Sequence, residues 1–277
     1  MESFPSDIKD MLKEHPIAYV PFGALEWHGP HMVLGVDSIK AEEICRRSAE
    51  ITGGVIFPCV NYGAFDTMRF PFTFHFSKRC LKKVTRSLVK QLYQWGFKII
   101  ILLTGHYPES QIKQVMKAAR WISKKHEDCF ALGIPEQKLI PDWDYFGDHA
   151  AFWETSMMIS INQDFVNLEN LPSGLNYPER TIRYGVWGID PKEHATAEQG
   201  KRILDEIVKR LSEIILKVEH SRSIEPFNQI YSTYEQLKKE TRKSLKKFFA
   251  VHGITNRQEG LAILKWMIFK RKKQDIK

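Results

Sequence analysis

Residues 97–106 read Phe97-Lys98-Ile99-Ile100-Ile101-Leu102-Leu103-Thr104-Gly105-His106. The first seven residues form a strongly apolar run that is rich in β-branched side chains, which is typical of a strand buried on both faces. A helical pattern follows from Glu109 to Lys125. A buried strand that leads through a short loop into a helix is the building unit of a parallel α/β sheet. His106 is then predicted to lie at the carboxyl end of a strand, the edge at which such sheets bind ligands.

The rest of the first 220 residues repeats this alternation of strand and helix. It predicts an α/β fold with three layers, a mostly parallel sheet between helices on both faces. Residues 162–194 are rich in Pro, Gly and Asn and are predicted to form a long ordered loop. The predicted strands are Ile17 to Phe22, Gly54 to Val60, Phe97 to Leu103 and Cys129 to Ile134, and the predicted helices are Ile39 to Ile51, Lys78 to Trp95, Glu109 to Lys125, His149 to Ile161 and Ala197 to Val218.

Carboxylates and imidazoles cluster directly after the first predicted strand. Glu26 and His28 are two residues apart, so in an extended backbone both side chains leave from the same face. Gly29 and Pro30 then turn the chain, and this gives Asp37 room to return to the same point. A carboxylate can bridge two cations with its two oxygens, as in paired-metal hydrolases. These residues predict half of a metal site, although a surface ion pair would use the same residue types.

Composition restricts the class of protein. The chain has 277 residues, of which 43% are hydrophobic, so it can bury the core of one large domain. We find no apolar stretch of about 18 residues and no leader-like amino terminus, and this predicts a cytoplasmic protein without a membrane segment. The four cysteines show no paired short spacing and are predicted to be reduced thiols.

The positive charge is concentrated at the carboxyl end. Residues 221–277 hold 14 Lys and Arg against 5 Asp and Glu, whereas residues 1–220 are nearly neutral. We predict a basic helical extension over 221–277, with helices from Tyr231 to Phe249 and from Asn256 to Lys273. Basic helix faces attract nucleic acid or an anionic partner, but they are more often simply solvated.

Four blocks of sequence together resemble the signature of the creatininase (creatinine amidohydrolase) family. They are Glu26-Trp27-His28-Gly29-Pro30-His31-Met32 with Asp37, Gly105-His106-Tyr107, residues 149–156 (HAAFWETS) and residues 195–201 (ATAEQGK). The resemblance covers about residues 15 to 218 and keeps the order of the blocks. It implies an α/β/α hydrolase with two divalent metals that opens cyclic amides or cleaves formamides and small peptide-like amides.

The resemblance also implies the roles of individual ligands. Glu26 and His106 would bind one metal, His28 the other, and Asp37 would bridge them. Creatininase has an acid two residues after the histidine of the Gly-His-Tyr block, where this chain has Pro108. We expect Glu154 to replace that acid; the alternatives are Glu109, and a Glu154 that instead holds a histidine ligand by its far nitrogen.

The catalytic groups follow from the same blocks. His149 matches the family histidine that transfers protons, and Asp148 beside it could fix its tautomer; His149 and Glu154 are therefore the predicted catalytic residues. Arg69 replaces a histidine in a segment that resembles the family loop, and it would suit an anionic substrate group. The predicted pocket residues are Tyr107, Trp143, Tyr145, Trp153 and Arg69.

These features predict a metal-dependent hydrolase of a small-molecule amide, with two ions of Zn, Mn or Fe. The resemblance also implies a homo-oligomer, with a hexamer expected. The substitutions at Pro108 and Arg69 keep open a metal-binding homologue without catalysis that acts as sensor or scaffold. The basic extension keeps open a protein that binds a partner or nucleic acid.

Overall fold

A computed structural model of the protein describes residues 3–63, 70–143, 145, 147–243, 254, 258–262 and 265. Four strands form one parallel sheet in the order β2-β1-β3-β4. The central pair is in register, with Ile17 beside Ile99 and Phe22 beside Thr104. The strands are β1 (Ile17–Phe22), β2 (Val55–Ile56), β3 (Ile99–Thr104) and β4 (Phe130–Pro135).

Helices cover both faces of this sheet. Alternate side chains of β1, β3 and β4 enter two separate core clusters, because successive residues of a strand point to opposite faces. One cluster lies under α2, α5 and α8, and the other lies under α3 and α4. The predicted three-layer α/β/α fold is therefore confirmed. The helices are α1 (Pro5–Glu14), α2 (Val36–Thr52), α3 (Lys78–Trp95), α4 (Glu109–Lys125), α5 (Phe152–Ile161), α6 (Tyr177–Glu179), α7 (Pro191–His194), α8 (Ala197–Ser221) and α9 (Glu225–Lys243).

Several predicted boundaries are wrong. The strand predicted from Gly54 to Val60 pairs as a strand only at Val55–Ile56, and Val60 adds one isolated bridge to Phe22. The helix predicted from His149 begins at Phe152, because the backbone of His149 instead pairs with Trp187. The predicted loop over residues 162–194 contains α6, α7 and other short helical turns.

The extension begins by packing on the core. Helix α9 begins at Glu225, earlier than predicted, and buries Phe227, Tyr231 and Tyr234 in the cluster under α2, α5 and α8. The Tyr231 hydroxyl accepts a hydrogen bond of 2.8 Å from the backbone N–H of Gly133 in β4. Most of the helix predicted from Asn256 to Lys273 lies outside the described residues. Among the residues that the structure describes, no helix is long and apolar enough to cross a membrane.

Candidate metal centre

Glu26 and His28 lie in the segment that follows β1, at the carboxyl edge of the sheet. Nδ1 of His28 donates to the carbonyl oxygen of Glu26 at 3.0 Å, which leaves Nε2 to face the cluster. The chain then turns at Gly29, whose φ of 68° is in the left-handed region that favours glycine. Both side chains are buried, with exposed fractions of 4% and 0%.

Asp37 lies between two histidines, a position that suits the bridging role predicted for it. It belongs to the first turn of α2, which starts three residues earlier than the sequence pattern predicts. Its Oδ1 lies 3.3 Å from Nε2 of His28, and its Oδ2 lies 2.8 Å from Nδ1 of His106. The two oxygens of one carboxylate therefore face two different imidazoles.

His106 follows β3 and completes the first set of ligands. Its Nδ1 lies 3.0 Å from Oε2 of Glu26. The chain before it must approach α2 closely, because a Cβ on Gly105 would lie 2.1 Å from the carbonyl oxygen of Asp37. Glu26, Asp37 and His106 form one group whose possible ligand atoms all lie within 4.8 Å of one another.

Glu154 completes a second set. It lies in the first turn of α5, and its Oε2 is 3.6 Å from Nε2 of His28. His28, Asp37 and Glu154 form a second compact group of ligand atoms. Glu109 is instead half exposed in the first turn of α4, where its carboxylate lies 3.1 Å from Nζ of Lys113.

The carboxylate oxygens and imidazole nitrogens of these groups are chemically suited to divalent metals, and they are buried. Oε2 of Glu26 and Nε2 of His28 are buried, and among the described residues their neighbours at 3.0 and 3.3 Å, His106 and Asp37, do not have hydrogen-bond geometry. Leaving these atoms without a hydrogen bond is costly unless another group binds them. Burial opposes the charge on His28, but Asp37 outweighs it and raises the pKa of His28 to about 9. In the same way Glu26 and Asp37 raise the pKa of His106 to about 10, against burial. Positive charge is thus favoured on both sides of Asp37.

His149 lies beside this cluster, before α5 begins. Its ring centroid is 4.4 Å from that of His28, and its Nε2 donates to the carbonyl oxygen of Trp27 at 2.9 Å. Burial lowers the pKa of His149, so the neutral ring is favoured. Asp148 does not fix this tautomer: its carboxylate accepts the N–H groups of Trp153 and Glu154 at the start of α5.

The aromatic residues predicted to line a pocket divide into two groups. The hydroxyls of Tyr107 and Tyr145 are 2.6 Å apart, behind the ligands. Trp153 packs on Tyr145, with ring centroids 5.5 Å apart. Trp143 packs against the core beneath Arg202, which does not support a place in the pocket. Arg69 lies outside the described residues.

The sequence pattern does not reveal Lys40 and Glu136, which are both completely buried beside the ligands. Nζ of Lys40 donates to Oε1 of Glu154 and lies 3.3 Å from Oε1 of Glu136. Two features of the sequence could have indicated them: Lys40, in a predicted helix, is three residues after Asp37, and Glu136 follows the predicted strand that became β4. A single Lys or Glu in an amphipathic pattern is normally solvent-exposed, so neither signal is specific.

Two groups of carboxylates and imidazoles that could each hold a metal ion share one aspartate at the carboxyl edge of a parallel sheet, an arrangement typical of metal-dependent hydrolases of the α/β/α class. The model of the family described as creatinine amidohydrolase matches residues 2–215, and this chain belongs to the creatininase family. The family resemblance seen in the four sequence blocks is thus confirmed.

Known relatives agree with this membership. Creatinine amidohydrolase of Pseudomonas putida is 25% identical, over 72% of this chain and 88% of the relative. A mycofactocin precursor peptide peptidase of Mycolicibacterium smegmatis is 26% identical, over 75% of this chain and 87% of the relative. The crystal structure of a creatininase superposes with a TM-score of 0.66 at 23% identity, covering 77% of this chain and 95% of that one. Other matched creatininase structures include a Zn-Zn type and a Mn form, with TM-scores of 0.65 and 0.62.

Proposed function

We propose that this chain is a two-metal amidohydrolase that cleaves the C–N bond of a small-molecule amide, either a cyclic amide or a formamide. The observation that carries the proposal is Asp37, whose two oxygens face His28 on one side and His106 on the other. Glu26 and His106 would hold one ion, and His28 and Glu154 the other. Ions of Zn, Mn or Fe suit such mixed ligands.

Water is too weak a nucleophile to attack an amide at neutral pH. Divalent ions bound at such a site supply Lewis acidity and lower the pKa of water. Hydrolysis adds hydroxide to the carbonyl carbon and a proton to the leaving nitrogen. His149 would carry that proton, since its partly buried ring lies beside His28 and its lowered pKa favours the neutral form.

The peptidase relative supports a second candidate, a peptide substrate. It is 26% identical to this chain, against 25% for the creatinine amidohydrolase, so a protein named for a peptide substrate and one named for a small amide are both similar to this chain. Small amides are our first choice because the family model that matches residues 2–215 is the one described as creatinine amidohydrolase.

A substrate screen of the metal-loaded protein tests this proposal. We expect hydrolysis of a cyclic amide or an N-formyl compound, and loss of that activity in Asp37→Ala. If the protein cleaves only short peptides, the second candidate, a peptide substrate, would be favoured over a small-molecule amide. Two bound metals without hydrolysis of any of the three classes would favour the homologue without catalysis. We further propose a cytoplasmic homo-oligomer; native mass measurement would test the predicted hexamer.

A further inference from the structure

Lys40 is a completely buried lysine whose ammonium group faces the metal-ligand cluster. It lies one helical turn after Asp37 in α2. Its Nζ donates to Oε1 of Glu154 and to the hydroxyl of Tyr107, the latter at 2.8 Å. Oε1 of Glu136 and Oδ1 of Asp37 lie 3.3 Å and 3.9 Å away. Packing of the aliphatic chain alone does not explain why a charged ammonium group is buried at this position.

Charge explains why a buried lysine is tolerated here. An isolated buried ammonium ion is very unfavourable, but this one has three carboxylates around it. The hydroxyl of Tyr107 links two of these groups, because it accepts a hydrogen bond from Lys40 and donates one to Glu136. Lys40 is therefore held at a fixed position by partners on three separate segments: Tyr107 after β3, Glu136 after β4 and Glu154 in α5.

The consequence concerns the two oxygens of Glu154. Lys40 binds Oε1, so only Oε2 is turned toward Nε2 of His28, at 3.6 Å. The backbone N–H of Ala150 donates to the same Oε2 at 2.7 Å and fixes the carboxylate plane further. We propose that Lys40 is the positioning residue for Glu154: by occupying Oε1 it leaves this carboxylate a single oxygen to offer to a cation.

Such a restriction has a purpose in a hydrolytic metal site. A catalytic metal keeps a coordination position open for water or substrate. A carboxylate that bound with both oxygens would fill that position. Partners of metal ligands commonly tune affinity or activity by about 10- to 100-fold. This inference rests on the proposed metal site, and it adds a role for a residue that is not itself a ligand.

Cobalt(II) loading tests the inference without depending on turnover. The visible absorption of Co²⁺ weakens as its coordination number rises. We expect Lys40→Met to keep two Co²⁺ ions per chain and to show weaker absorption, because Glu154 is then free to bind with both oxygens. If the wild type hydrolyses an amide, turnover should fall by about 10- to 100-fold. Failure of the wild type to hydrolyse any amide would affect the proposed function and leave this spectral test intact.

A double-mutant cycle separates positioning from general structural damage. In a Glu154→Ala background, Lys40→Met should not change the spectrum further, since the carboxylate that Lys40 positions is gone. Alanine is needed because glutamine would still accept a hydrogen bond from Lys40. Equal effects of Lys40→Met in both backgrounds, or an unchanged spectrum in the single variant, would overturn the proposal.

Two further variants guard the interpretation. Lys98→Met is the matched control, since it breaks an ion pair with Asp128 near the amino end of β3, at the opposite edge of the sheet, and should leave the spectrum unchanged. If Lys40→Met does not fold, Lys40→Met/Glu136→Gln removes one charge of each sign and keeps the buried balance. A wild-type spectrum in that folded variant would also overturn the proposal.

Discussion

Asp37 shows how one residue can define the whole centre. Its two oxygens face two imidazoles, and it is the residue shared by the group of Glu26 and His106 and the group of His28 and Glu154. It is also held from behind, since α2 contacts the chain at Gly105 so closely that a side chain there would collide with the backbone of Asp37. The position of the bridge is thus fixed by backbone contact and not by rotamer choice alone.

Asp37→Ala should therefore lose both metals. We expect elemental analysis to give about two divalent ions in the wild type and close to none in the variant, because a bridging carboxylate serves each ion. Glu109→Gln is the control, since that residue pairs with Lys113 and belongs to neither ligand set. Full metal content in Asp37→Ala would rule out the bridging role.

His149→Ala should keep its metals and lose turnover. General acid–base catalysis contributes about 10²- to 10⁴-fold, so a loss in that range is expected for the variant. His149 also lies close enough to Glu26 and His28 to form a third possible ligand group. Metal analysis decides between these roles: loss of an ion together with activity would make His149 a ligand, and unchanged turnover would make it structural.

Metal affinity should rise with pH. Neighbouring carboxylates outweigh burial and raise the pKa of His28 and His106 to about 9 and 10, so protons compete with metals for both rings at pH 7. Loading the two sites at pH 7 should then release about two protons. Calorimetry in buffers of different ionisation enthalpy measures this number. Release of no protons would contradict these raised pKa values.

At the scale of elements, the predictions succeed where burial is complete and fail where it is partial. Strands β1, β3 and β4 are buried on both faces and appear as continuous apolar runs, so they are predictable. Helix α1 has no buried residue, and β2 has two residues, so neither gives a clear pattern. The segment after Asn162 holds His149 through backbone bonds to Trp187, and backbone pairing leaves no signature in side-chain types.

Two helix starts offer a matched comparison of carboxylates. Glu154 and Glu109 both lie in the first turn of a helix, where an acid interacts favourably with the helix dipole. Only Glu154 faces the cluster. Glu154→Gln should weaken metal binding on the side of His28 by about tenfold or more. Glu109→Gln should leave metal affinity nearly unchanged and lower the free energy of unfolding by about 0.3 kcal/mol. Metal titrations that give the reverse order would restore Glu109 as the ligand.

At the scale of the whole molecule, a parallel sheet brings distant residues together. Strands β1 and β3 end at the same edge of the sheet. Glu26 and His28, which follow β1, therefore lie close to His106, which follows β3 about eighty residues later in the chain. The four sequence blocks predict this set of ligands because ligand chemistry restricts residue type. Lys40 and Glu136 were not predictable, since their role depends on burial by the folded chain.

Removal of metal should therefore destabilise the whole domain and not only the site. The candidate ligands come from the segments after β1 and β3 and from α2 and α5, so ions bound here would hold the sheet and one of the two helical layers together. A ligand at 100 times its dissociation constant stabilises the folded state by about 2.7 kcal/mol. For a domain of this size each kcal/mol shifts the melting temperature by about 2–4 °C. A chelator should then lower the melting temperature of the wild type by about 5–10 °C or more, and that of Asp37→Ala hardly at all. An equal shift in both proteins, measured by calorimetry, would place the stabilising ions elsewhere in the chain.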